Sequence, residues 1–133
     1  MFFESLNGMD PALQQEIIAS LGKTGAALAI SFAAIGSALG TGAAGKSAVT
    51  AWKKCYVANK MAPFMLVAFV GAPLTQTIYG MIVMNTILKA VREGAAMYHN
   101  MLLGGLVAGL AIGMSAWMQG RAGAGASDAL AET

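Results

Sequence analysis

The sequence is poor in charge, in cysteine and in histidine. Only 11% of its 133 residues are charged, while 57% are hydrophobic, and an average soluble domain carries about 25% charge. Its single cysteine, Cys55, excludes an internal disulfide framework and a cysteine-based zinc cluster. A net charge of +2 is too small to make nucleic acid the expected partner. These shortages argue against an ordinary soluble domain and direct attention to the apolar residues.

Charged residues are missing from three long windows. They cover residues 24–45, 61–88 and 94–120, which is 22, 28 and 27 residues. A membrane-spanning helix needs roughly 20 apolar residues, because ~30 Å of hydrocarbon is crossed at 1.5 Å per residue. Buried helices of a soluble bundle would keep a polar face, and these windows have no charged stripe. We therefore predict an all-α membrane protein with spans at about 24–45, 62–88 and 100–120.

The spans divide the chain into three segments. Residues 1–23 form an external or interfacial segment, 24–88 a first helical hairpin, and 89–133 the first half of a second hairpin. The second hairpin is expected because residues 41–45 weakly resemble residues 119–123, at an offset of 78. The partner of the third span is then missing from these 133 residues, and we expect the sequence to be truncated.

Basic residues predict the orientation. The 46–60 loop carries four lysines and no acid, whereas the N-terminal segment has three acids and one lysine. By the positive-inside rule, the 46–60 loop is cytoplasmic and the N-terminus is external. No basic region follows Met1, so a secretory signal peptide is not expected. Asp10 and Pro11 predict a helix start, and residues 11–21 either form a short interfacial helix or a disordered lead.

Residues 40–47 match the phosphate-binding pattern GxxxxGK[ST] letter for letter. Such a loop needs a strand before it and a helix after it, so that backbone N–H groups can cradle a phosphate. It also needs a distal carboxylate for Mg²⁺, and the only aspartates are Asp10 and Asp128. We interpret the match as chance in a glycine-rich membrane helix.

Small residues line the first and third spans. GxxxG spacing allows helices to approach closely in lipid, and it occurs twice, at Gly36 and Gly40 and at Gly105, Gly109 and Gly113. We expect these five glycines to pack copies of the chain into a tight assembly; the alternative is packing within one three-helix bundle. The second span is bulkier and is expected to face lipid with Phe64, Leu66, Phe69 and Met81.

The second span also contains a polar cluster. Pro73 cannot donate a backbone hydrogen bond, so it frees carbonyl oxygens in the preceding turn. Thr75, Gln76 and Tyr79 add three side-chain oxygens within about one turn, and Gln119 offers another from the third span. Oxygens of this kind suit a dehydrated monovalent cation, but they equally suit hydrogen bonds between helices. No window contains Asp or Glu, so this chain alone is not a complete ion relay.

These motifs resemble those of a known family. The run P-L-T-Q-T-I-Y-G at 73–80 resembles the P-G-T-Q-x-x-Y-G run of the V-type and related A-type ATPase proteolipid, with Leu74 in place of the usual glycine. The run M-Q-G-R-A at 118–122 resembles the family's Q-G-[KR]-A element, and the small residues 35–40 fit its first helix. The resemblance covers roughly residues 24–127.

The resemblance implies a role for each matching position. Thr75, Gln76 and Gln119 match side-chain ligands that hold Na⁺ in sodium-type members, and Ala72 matches the position that supplies a backbone carbonyl. Tyr79 matches a tyrosine that hydrogen-bonds the essential carboxylate, which the family carries on its fourth helix.

The family forms the rotor ring of a rotary ATPase or ATP synthase. The resemblance therefore implies a non-catalytic subunit without a covalent cofactor, which carries H⁺ or Na⁺ through the membrane. Its implied partners are further copies in a ring, a stator subunit, central-stalk subunits and membrane lipid, and a prokaryotic plasma membrane is favoured as its location. A competing hypothesis is a small oligomeric channel or scaffold without ATP coupling.

Overall fold

The chain is helical throughout. A computed structural model describes residues 2–95 and 97–133, and this part of the chain contains no strand. Its five α-helices are α1 Phe2–Asn7, α2 Pro11–Val57, α3 Met65–Gly71, α4 Thr75–Arg92 and α5 Tyr98–Glu132, with a 3₁₀ turn over Ala72–Leu74 between α3 and α4. Three stretches are long and apolar enough to cross a membrane: α2, α3 together with α4, and α5. The predicted all-α membrane fold is confirmed.

Helix α2 is longer than the sequence predicts. Its 47 residues extend about 70 Å at 1.5 Å per residue, more than twice the ~30 Å hydrocarbon thickness. The separate interfacial helix predicted at 11–21 is wrong, because these residues are the first turns of α2. The prediction of a loop at 46–60 is wrong for residues 46–57, because α2 continues to Val57. No proline or glycine interrupts residues 46–57, and Ala48 and Ala51 are buried there.

The helix ends follow local chemistry. The Asp10 carboxylate accepts a bond from the Ala12 N–H at 3.4 Å, and Pro11 occupies the first turn of α2, so the predicted helix start is confirmed. In both hairpin turns the second residue after the helix lies in the left-handed region, Asn59 at φ 52° and Gly94 at φ 75°. Asparagine and glycine tolerate that conformation, which ends a helix by turning its last carbonyls toward following N–H groups.

Helices α2 and α5 lie side by side and parallel, with their small residues in contact. A Cβ added at Gly36 would meet the Gly113 carbonyl, and one added at Gly120 would meet Gly40. Gly105 and Gly109 meet the α2 backbone in the same way. All five glycines expected to join separate copies are therefore used within one chain. That expectation is corrected, because the two small faces are complementary and cover each other.

Helices α3 and α4 pack on this pair. Gly80 lies against the Ala33 methyl group, so close that a Cβ at Gly80 would clash with it. Leu66 is fully buried with Ala48 and Ala51, which corrects its expected lipid-facing position, and Phe69 is partly buried there. Phe64 and Met81 are exposed as expected for a lipid-facing surface.

Candidate ion-binding site

The site is organised by the break at Pro73. Proline has no N–H to offer the Phe69 carbonyl four residues earlier, and the helix tightens into a 3₁₀ turn at Ala72–Leu74. The expected interruption is present. Thr75 Oγ1 donates to the Ala72 carbonyl oxygen at 2.9 Å. The break therefore joins two predicted ligands, a backbone carbonyl and a threonine hydroxyl, within one turn.

A hydroxyl chain ties this break to α2. Ser37 Oγ donates to the Pro73 carbonyl oxygen at 2.8 Å, and Thr77 Oγ1 donates to Ser37 Oγ, also at 2.8 Å. Ser37 is buried. The sequence prediction missed both hydroxyls as parts of the site. The signal was a hydroxyl inside an uncharged window, where polar groups are costly and therefore candidates for function.

The two predicted glutamines meet across the α4–α5 contact. Gln76 Nε2 donates to Gln119 Oε1 at 3.4 Å, longer than the usual 2.9–3.0 Å for this kind of bond. Gln76 is partly buried, whereas Gln119 and Thr75 are exposed. The two amides and the neighbouring hydroxyl–carbonyl pair all offer hard oxygen donors, which suit an alkali cation better than a soft metal.

Tyr79 lies three residues after Gln76, so both side chains occupy the same face of α4. It is 55% exposed. Within the part of the chain that the structure describes, no three or more His, Cys, Asp or Glu side chains form a group that could hold a metal ion. A cation bound here would rely on neutral oxygens from this chain.

Residues 40–47 do not form a phosphate-binding loop. They lie inside α2, where backbone N–H groups bond to carbonyls four residues earlier and are not free to cradle an anion. Gly40 serves instead as a contact with Ala116 on α5. The prediction that residues 40–47 belong to a glycine-rich helix is confirmed.

Comparison of the chain with protein-family models, with curated proteins and with solved structures gives no match.

Proposed function

We propose that the chain is a proteolipid of the membrane rotor of a V-type or A-type rotary ATPase, and that it carries H⁺ or Na⁺ by rotation of a ring. The observation that carries this proposal is the meeting of Gln76 and Gln119 at 3.4 Å, beside the Pro73 break. These residues come from two separate stretches that resemble the same family, and they lie 43 positions apart. Chance similarity of two short stretches gives no reason for their side chains to meet.

The exposure of the site supports a covering partner. Thr75 and Gln119 are exposed polar groups on helices apolar enough to cross a membrane, and polar groups facing hydrocarbon are costly. A protein helix that covers them removes this cost. Since the oxygens of this site are neutral, a carboxylate on the covering helix would complete it. The covering helix belongs to a following segment or to a neighbouring subunit.

The mechanism follows from the charge of that carboxylate. When H⁺ or Na⁺ neutralises it, the site can move past lipid. When the ion leaves, the charged carboxylate is held beside an opposite charge on the stator, because an unpaired charge in hydrocarbon is costly. Thr75, Gln76, Gln119 and the Ala72 carbonyl act as neutral ligands, and Tyr79 hydrogen-bonds the carboxylate. Nucleotide chemistry takes place in a separate catalytic head, so this subunit is not itself an enzyme.

The proposal includes a location and partners. The chain is a multi-pass protein of a prokaryotic plasma membrane, with residues 46–60 on the cytoplasmic side. It assembles as a ring of copies beside a stator subunit, and the basic residues 46–60 face central-stalk subunits.

The test is ion transport by the complete complex, purified from its own membrane and reconstituted in vesicles. In Gln76→Leu and Gln119→Leu variants we expect about a tenfold weaker apparent affinity for the transported ion, since each lost ligand is worth up to ~1–2 kcal/mol. The matched control is Asn85→Leu, which removes an exposed amide from the same helix. Asn85 follows Gln76 by nine residues and so lies about 180° away on the helix.

Two outcomes would contradict the proposal. Transport that is equally affected by all three substitutions would mean that the amides act only on folding. Passive ion flux without ATP, from a chain that purifies with no stator subunit, would favour the channel or scaffold hypothesis. The intact mass of the native chain gives an independent reading, because a mass larger by at least ~20 residues with a central Glu would identify the covering helix.

A further inference from the structure

An apolar groove runs between α2 and α5, with a volume of about 120 Å³. Its walls are apolar side chains and glycine backbone, from Phe32, Ile35, Gly36, Leu39, Leu110, Gly113, Met114 and Trp117. The side chains are well exposed along it, with Leu39 at 56% and Met114 at 53%. The two glycines form its floor, because they bring the α2 and α5 backbones into contact.

Two basic side chains lie beyond one end of this groove. Lys46 follows Leu39 by seven residues and Arg121 follows Leu110 by eleven, so each continues the row of groove residues on its own helix. The Arg121 guanidinium lies 5.7 Å from the centre of the Trp117 ring, which is itself a wall of the groove. Both cations are exposed, and among the described residues no carboxylate forms an ion pair with either.

The groove is separate from the candidate ion site. Gln119 and Arg121 are two residues apart, hence about 200° apart around α5, and Gln119 faces α4. From Leu110 to Trp117 the groove extends about 10 Å along α5, and Arg121 lies about 6 Å further along the same helix.

We propose that this groove binds an anionic phospholipid, with one acyl chain along the groove and the phosphate held by Lys46 and Arg121. An apolar slot that is followed along each of its two helices by an unpaired cation matches an amphiphile with a negative head. A free phosphate would use the cations but leave the slot empty, and a second copy of the chain would fill the slot but bring no required anion. This inference does not depend on the proposed function.

The test is a lipid titration of the full chain. The chain is first stripped of lipid in a zwitterionic detergent, and lipid binding is then measured by native mass spectrometry. Phosphatidylglycerol and phosphatidylcholine with the same acyl chains are compared, with glycerol 3-phosphate as the competitor that has no acyl chain. We expect Lys46→Gln with Arg121→Gln to weaken phosphatidylglycerol binding about thirtyfold, since each basic residue near an anionic surface contributes about fivefold. Leu39→Trp, which fills the slot and leaves both cations, is expected to weaken binding of both lipids.

The matched control is the pair Lys89→Gln with Arg92→Gln, which removes the same charge from the far end of α4. This variant is expected to bind phosphatidylglycerol like the parent. Equal loss in both double variants, equal binding of the two lipids, or full competition by glycerol 3-phosphate would overturn the proposal. So would efficient disulfide crosslinking between copies of a Leu39→Cys, Cys55→Ala variant in the membrane, because that result identifies a second copy as the occupant.

Discussion

At the scale of single residues, the helix break depends on a serine in another helix. Ser37 donates to the Pro73 carbonyl and accepts from Thr77, so one buried hydroxyl satisfies two polar groups that the broken α3–α4 stretch brings to α2. In an apolar surrounding neither partner has water as a substitute. Ser37 is therefore expected to determine the position of the turn that carries Ala72 and Thr75.

We predict that Ser37→Ala lowers the free energy of unfolding by about 0.5–2 kcal/mol, the range measured for hydrogen bonds between membrane helices. The measurement is unfolding in mixed micelles of increasing dodecyl sulfate, followed by helical circular dichroism. Ser31→Ala is the control, because Ser31 lies on the same helix and is exposed. If both variants have the same free energy of unfolding, the hydrogen bonds of Ser37 do not stabilise the turn at Pro73.

At the scale of elements, the α2–α5 pair shows an eleven-residue repeat. Buried α2 positions recur at Gly22, Ala33, Ala44 and Cys55, and buried α5 positions recur at Gly105, Ala116 and Ser127. Eleven residues in three turns is 3.67 per turn, slightly more than the 3.6 of a straight helix, and such a repeat favours right-handed winding. The long contact between two helices of 47 and 35 residues is maintained by this repeat.

Because α2 and α5 approach closely, we predict that glycine-to-alanine substitutions at different positions of α2 differ sharply in their effect on the free energy of unfolding. Gly36→Ala places a methyl group against the Gly113 backbone, where no flexible side chain can yield, and we expect a loss of about 1–3 kcal/mol from overpacking. Gly42→Ala, six residues along the same helix, meets nothing within 4 Å and is expected to be neutral or slightly stabilising. The same unfolding measurement compares them. Equal stability of the two variants would mean that α2 and α5 are not in backbone contact.

At the scale of the whole molecule, the charges favour one orientation. The α2–α3 turn and the last part of α2 carry Lys46, Lys53, Lys54 and Lys60. One of these charges is paired at this end, as Lys54 Nζ lies 3.8 Å from Glu132 Oε1. The positive-inside rule counts lysine and arginine and gives little weight to acids, so the excess of lysine still predicts a cytoplasmic position.

Labelling of engineered cysteines tests this orientation. In a Cys55→Ala background, Met61→Cys lies in the α2–α3 turn at a position 93% exposed, and Met97→Cys lies at the opposite end at a position 58% exposed. In intact cells a membrane-impermeant maleimide is expected to label Met97→Cys alone, and in inverted vesicles Met61→Cys alone. The reverse pattern would show that the lysine-rich end is external.

Much of the fold could be read from local chemistry. A charge-free window is enough to predict a spanning helix, because a single buried charge outweighs many small packing gains in hydrocarbon. Asp10 and Pro11 predict a helix start for the same kind of local reason, the orphan N–H groups of the first turn. The break at Pro73 was equally visible, since it depends on one missing N–H.

What the sequence by itself determined is therefore the all-α class, the three apolar helices and the chemical types of the candidate ligands. The tertiary structure decided which surfaces meet. It pairs the glycines of α2 and α5 within one chain, extends α2 through the predicted loop, brings Ser37 to Pro73 and opens a groove below Lys46 and Arg121. These outcomes depend on the rotation and axial offset of one helix against another, and a row of small side chains is compatible with many such partners.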